Sequence, residues 1–305
     1  MTAPSAGQTP IPSTGTAHPV AIVPMQPSPH VPGYQLLNRL GGGPMTVVYA
    51  ARDAETDEPC AIKLVRPEWD DQATAVKLLQ REARAGLAVR HPHLVRVTRA
   101  EVTRPPYFVV MDHIPGETLR RRLRRDYRLP WSEAVWVVRQ TAEALAALHR
   151  AGFLHGDVKP DNVRLTEAGE AVLIDLGFSH RPGENAAFLR QGYVLGTANY
   201  LAPELCASQP AEDFASDLFS LGVVFYEVLT GRLPYPSGSV VQTFRRHACD
   251  PPADIRRSAG RLPAGLVSLV DRLLAREPER RPRAAAVVQQ LVRIEIEGLR
   301  GKKAG

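Results

Sequence analysis

The hydrophobic pattern of this chain shifts from mainly strand-like to mainly helical close to Gly116, and that shift most constrains the fold. Before it, short runs rich in β-branched and aromatic residues cover 34–40, 46–52, 60–65, 94–102 and 107–111. Turn residues such as Gly41-Gly42-Gly43 and Asp57-Glu58-Pro59 separate them. One helical stretch, 73–89, interrupts the series, with apolar residues at 75, 76, 79, 83 and 87. After Gly116 the chain is mainly helical. In 132–150, Val135, Val138, Leu145 and Leu148 fall on one stripe, Ser132 is a suitable N-cap and Gly152 a suitable stop. Residues 217–229 are apolar almost all round, which predicts a helix buried at the centre. Residues 266–275 and 284–296 are amphipathic. With no glycine period and no sustained heptad, collagen and coiled coil are excluded. The expected fold is α+β: a small antiparallel β lobe with one helix, then a larger, mainly helical lobe, with a cleft between them.

Composition bounds the rest. The chain has 305 residues, 44% hydrophobic and 23% charged, enough for one large or two modest globular domains. Eight of its 27 prolines fall in the first 32 residues, which carry no Asp, Glu, Lys or Arg. Such a segment buries too little to offset its ordering entropy, so 1–32 is expected to be a disordered, Pro-rich tail. Residues 301–305 are a basic end. Three scattered cysteines, Cys60, Cys206 and Cys249, argue against a disulfide framework and fit a reducing compartment. The longest apolar stretch, 221–226, is too short for a membrane span, and the N-terminal residues lack the basic-then-apolar pattern of a signal peptide. A cytoplasmic location is expected, with the chain either soluble or a fragment of a membrane receptor.

Four polar segments break the apolar pattern. Around Gly41 and Gly43, a glycine-rich turn joins two strands, and glycine is needed where backbone approaches phosphate. Alone this is a common hairpin turn. Lys63 follows Ala61 on a strand and could reach phosphates, although a lone strand lysine is usually a surface residue. Glu82 on the following helix could pair with it. In His155-Gly-Asp-Val-Lys-Pro-Asp-Asn162, Asp157 could accept a hydroxyl proton, Lys159 could steady a phosphate and Asn162 could hold a metal. Asp175 ends an apolar strand, where a carboxylate can bind Mg²⁺.

In this order and spacing the four segments resemble the Ser/Thr protein kinase family, over roughly 33–296. Gly196-Thr-Ala-Asn-Tyr-Leu-Ala-Pro-Glu204 is similar to the end of that family's activation segment. The Ala- and Arg-rich usage suits a bacterial member. The resemblance implies a bilobal domain with a small lobe at 33–111, a hinge at 112–116 and a large lobe at 117–300. It implies ATP and Mg²⁺ as cofactors and Ser/Thr hydroxyls of proteins as acceptors. Lys63 then contacts the nucleotide phosphates and pairs with Glu82. Asp157 is the catalytic carboxylate, Lys159 steadies the transferring group, and Asn162 and Asp175 hold the metal. Leu40, Gly41, Gly43, Val48, Ala61 and Met111 line the nucleotide slot, and the backbone of Asp112 and Ile114 meets the adenine edge. Thr197 positions the substrate by bridging Asp157 and Lys159. His155, Glu204, Asp217 and Arg281 support the site, Arg281 by pairing with Glu204.

Five positions depart from the family pattern. Thr46 replaces the third loop glycine, with Pro44 at the tip, and Leu176 replaces a phenylalanine. Gly86 stands where a large apolar residue is usual, so the helix carrying Glu82 is expected to be less firmly held. Arg164 replaces the apolar floor beneath adenine; its guanidinium either stacks on the base or turns outward. Gly156 replaces the arginine that usually binds a phosphorylated loop. Residues 178–195 offer only Ser179 and Tyr193 as hydroxyls, so activity is expected not to depend on phosphorylation of that loop. Two other readings stay open. One is a pseudokinase scaffold or binding module. The other is a small-molecule phosphotransferase, whose catalytic loop His-Gly-Asp also resembles.

The net charge of +6 is concentrated. Arg120, Arg121, Arg122, Arg124, Arg125 and Arg128 surround one aspartate within 120–128. A local cluster beside a cleft suits a solvated helix face or an acidic partner rather than nucleic acid.

Overall fold

The computed structural model describes residues 29–191, 194–206 and 212–303. Residues 1–28, most of the expected tail, and Tyr193 lie outside the described residues.

Strands β1 (Tyr34–Gly42), β2 (Thr46–Asp53) and β3 (Pro59–Val65) precede helix α1 (Ala73–Ala88), and β4 (Val97–Glu101) and β5 (Phe108–Asp112) follow it. They form one sheet in the order β1-β2-β3-β5-β4, every pair antiparallel. The period-2 pattern gives this sheet two faces. Ile62, Leu64, Phe108 and Val110 close an outer cluster with Val47 and Ala51. Ala61, Val109 and Met111 face the main core with α1.

The large lobe holds β6 (Glu117–Thr118), α2 (Leu119–Asp126), α3 (Trp131–Arg150), β7 (Val163–Leu165) and β8 (Ala171–Leu173). Helices α4 (Ala186–Arg190), α5 (Phe214–Thr230), α6 (Val240–Cys249), α7 (Ala264–Leu273) and α8 (Ala284–Lys303) complete it. Helix α5 is buried along nearly its whole length and packs against α3 and α7. Each fully buried Leu, Val or Phe on it stabilises the lobe by roughly 1.5–3 kcal/mol.

Several boundaries differ from the sequence reading, each for a local reason. Val31 is fully buried and bridges Tyr34, so the folded unit begins before Gly33. Strand β4 starts at Val97 rather than 94, because Leu94 bridges Leu173 and the Val95 N–H donates to the Leu173 carbonyl in the other lobe. Helix α3 starts at Trp131, with Pro130 as its cap, so Ser132 lies inside the first turn. Helix α5 starts at Phe214 because Asp213 and Ser216 form a capping box. Helix α8 runs on to Lys303, so residues 301–303 of the expected basic end are helical.

Gly86 reverses its expectation. A Cβ there would overlap Val97 Cγ2, stand 2.8 Å from Val97 Cβ and reach 3.4 Å from Leu176 Cδ1. The missing side chain lets α1 approach β4 closely, so the helix is seated by contact rather than loosened.

Candidate active site

The register of the small sheet assembles the first half of the site. Val48 lies opposite Lys63, and Ala61 lies opposite Met111. Ala61 and Lys63 therefore share the inner face, with Gly41 brought alongside through its pairing with Val48. A Cβ at Gly41 or Gly43 would meet nothing within 4 Å, so the loop backbone is open to close approach. Leu40 is 41% exposed, an uncovered apolar side chain beside this strand pair.

Lys63 is the meeting point of the two lobes. Its Nζ lies 2.8 Å from Glu82 Oε2 on α1 and 2.6 Å from Asp175 Oδ1 beyond β8. Burial alone lowers the ammonium pKa, but Asp175 and Glu82 outweigh it and hold Lys63 above its ordinary value. Burial pushes Glu82 up, against the pull of Lys63. Burial also acts to raise Asp175, yet Lys63 prevails and holds that carboxyl at about 2. Asp175 adopts φ +66°, an unusual conformation for a non-glycine residue, and accepts from the Gly177 N–H at 3.2 Å.

The second half gathers on the loop after α3. Lys159 Nζ lies 2.6 Å from Asp157 Oδ2 and donates to Thr197 Oγ1 at 2.8 Å. Thr197 Oγ1 in turn donates to Asp157 Oδ1 at 2.8 Å. Asn162 Nδ2 donates to the Asp157 carbonyl at 2.8 Å and to its Oδ2 at 3.1 Å. The loop is anchored from below by Asp217, whose carboxylate accepts from the N–H groups of His155 and Gly156 at 2.8 and 3.0 Å. Burial works against the Asp217 carboxylate, but the hydrogen bond from His149 and the nearby imidazoles hold its pKa below the ordinary value. Arg281 makes a two-pronged contact to Glu204, at 2.7 and 2.8 Å, with its side chain fully buried.

His149 was not singled out in the sequence. It stands 68 residues from Asp217, and no local spacing announces the pair. Arg164 takes neither of the orientations expected of it. Its Nε donates to the Ile114 carbonyl and its Nη2 to the Gly116 carbonyl at 2.8 Å, so the guanidinium is tied to the hinge backbone. The arginine cluster is likewise largely engaged within the fold. Arg120 pairs with Glu227 at 2.6 Å and Asp161 at 3.1 Å; Arg122 pairs with Asp126 and Glu133, and Arg125 with Glu117 and Asp126. The expected acidic-partner surface therefore loses most of its free charge to neighbouring carboxylates.

The Asn162 carbonyl accepts from the Ile174 N–H at 2.8 Å, next to the ionised Asp175, which is paired with Lys63; an amide oxygen and a carboxylate beside a lysine are donor types that suit Mg²⁺ and a polyphosphate. The residues present thus fit both groups.

This fold and this arrangement of Lys63, Glu82, Asp157 and Asp175 define a class, and comparison with known proteins agrees. The model of the protein kinase domain matches residues 34–292. Serine/threonine-protein kinase PknD of Mycobacterium tuberculosis is 35% identical over 249 residues, covering 81% of this chain and 37% of that protein. PknB of Mycobacterium leprae is 31% identical over 276 residues, covering 88% of this chain and 44% of that protein. Kinase pkn2 of Myxococcus xanthus is 34% identical over 259 residues, covering 83% and 31%. The chain belongs to the protein kinase family. It spans less than half the length of these three relatives. Among the described residues, no helix is long and apolar enough to cross a membrane.

Proposed function

We propose that this chain is an ATP- and Mg²⁺-dependent protein kinase that phosphorylates Ser/Thr hydroxyls. The observation that carries the reading is the closed triangle of Asp157, Lys159 and Thr197, joined to the intact Lys63–Glu82 and Lys63–Asp175 contacts. Mg²⁺ bound by Asn162 and Asp175 would offset phosphate charge. Asp157 accepts the proton of the incoming hydroxyl, and Asn162 keeps its carboxylate aimed. Lys159 places positive charge where the transferring group develops negative charge. Lys63, held by Glu82, fixes the nucleotide phosphates. Thr197 seats the acceptor by engaging both Asp157 and Lys159. Positioning and electrostatics supply most of the rate enhancement in this chemistry.

The same reading sets the reaction in the cytoplasm, where ATP is available; three free cysteines support a reducing compartment. It also makes activity independent of loop phosphorylation. Gly156 provides no cation for a phosphate, and Ser179 is fully buried with its Oγ donating to the His155 carbonyl at 3.4 Å. Transfer from labelled ATP to protein tests the proposal. The wild-type chain should label itself or a generic protein, and Asp157→Asn should lose at least about a hundredfold in rate. Equal labelling by both, or transfer to small metabolites alone, defeats it.

A further inference from the structure

Thr197, which donates to Asp157, stands at the end of a segment whose described residues 178–191 pack near α1. The structure shows what restrains it. Glu184 lies just before α4, and its Oε2 accepts from Arg84 Nη2 at 2.5 Å and from the Arg181 N–H at 3.1 Å. Arg84 lies on α1, two residues beyond Glu82, so the helix that holds Lys63 also grips this loop. The guanidinium carbons of Arg84 and Arg181 stand 5.6 and 4.9 Å from the ring centroid of buried Phe153. Arg81, on the preceding turn of α1, adds its charge to the field around Glu184. Burial raises the Glu184 carboxyl, but Arg84 and the Arg181 N–H outweigh it, so the group stays ionised. On either side of Glu184, Asn185 donates to Glu212 Oε1 at 3.2 Å and His180 Nε2 lies 2.7 Å from Glu212 Oε2.

The usual alternative device is sterically closed. Gly156 has φ +80°, and a Cβ there would lie 2.8 Å from the Phe178 carbonyl oxygen. An arginine there would have to push that backbone aside. Ser179 is buried, and residues 180–191 contain no Ser, Thr or Tyr.

We propose that Glu184 is a positioning residue for phosphoryl transfer: its carboxylate, gripped by Arg84, holds the activation segment against α1 in the role a phosphate would otherwise fill. The proposal rests on the kinase reading above. It links the loop that seats the acceptor to the helix that seats Lys63, through one ion pair.

The test uses the full chain, pretreated with a phosphatase, as wild type, Glu184→Gln, Arg84→Met and the double variant. Each is assayed for kcat and KM on a generic protein substrate, for thermal unfolding, and for deuterium uptake over 181–191 and 73–88. A partly exposed, charge-assisted pair is worth about threefold to tenfold in kcat. Each single variant is expected to lose that much, with KM for ATP and the unfolding temperature little changed. The double variant should be no slower than the slower single variant. Uptake should rise over 181–191 and, to a smaller degree, over 73–88. An unchanged kcat in Glu184→Gln, losses that multiply in the double variant, or a wild type silenced by dephosphorylation overturns the proposal. A wild type that transfers no phosphate before or after treatment fails the kinase reading instead. Unchanged uptake over 181–191 in Glu184→Gln then still refutes the tie.

Discussion

Restoring the family's arginine at Gly156 should damage this protein, and the structure says by how much. The position has φ +80°, a region that L-residues other than glycine enter at a cost of about 1–2 kcal/mol. A Cβ would also press on the Phe178 carbonyl oxygen at 2.8 Å and touch Phe178 Cβ at 3.4 Å. The oxygen belongs to backbone, so relief requires the loop to move, at roughly another 1–2 kcal/mol. The expected loss is on the order of 2–4 kcal/mol, or about 3–7 °C in a domain of this size. The penalty comes from Cβ and not from charge. Gly156→Ala and Gly156→Arg should therefore lose nearly the same stability by denaturant or thermal unfolding. Both should also lose transfer activity, since Gly156 adjoins Asp157 and donates to Asp217. Gly156→Ala at wild-type stability, or Gly156→Arg more active than Gly156→Ala, would refute the reasoning.

Three other outcomes follow from particular contacts. Arg281→Met leaves the Glu204 carboxylate without its buried guanidinium and should cost about 3–5 kcal/mol by denaturant unfolding. Gly86→Ala should cost about 1–3 kcal/mol by overpacking against Val97, and Val97→Ala in the same chain should recover part of it; no recovery would mean that contact is not the cause. Burial lowers the His180 pKa, but Glu212 outweighs it and the pKa is raised, with Asp217 also acting upward. The pair's contribution to stability is therefore complete below the unfolded value near 6.5 and is lost as pH rises through the raised folded value. His180→Gln should flatten unfolding stability across that alkaline side, measured from about pH 6 to 9.

Much of the fold was legible because its signals are local. The alternation across 60–65 marks β3 to within one residue. The all-round apolar run at 217–229 marks α5, which needed only its cap at Asp213 to set the true start. Segment ends were less legible where another part of the chain claims the backbone, as Leu173 claims residues 94 and 95. The residues proposed for catalysis could be singled out for a different reason: Asp157, Lys159 and Asn162 lie within one loop, so their spacing survives as sequence.

By itself, then, the sequence determined which groups are present, in what order, and that two unlike lobes must carry them. Those properties depend on near neighbours and on hydrophobic period. Tertiary structure alone decided what the departures mean. Gly86 is a seat because Val97 from another strand arrives there, and Arg164 is a clasp because the hinge carbonyls pass within its reach. Arg120 is neutralised by Glu227, 107 residues away, and Glu184 meets Arg84 across 100. A glycine or an arginine has the same letter whether it is a gap, a contact or half of an ion pair. Its partner is chosen by where distant backbone brings the other atoms.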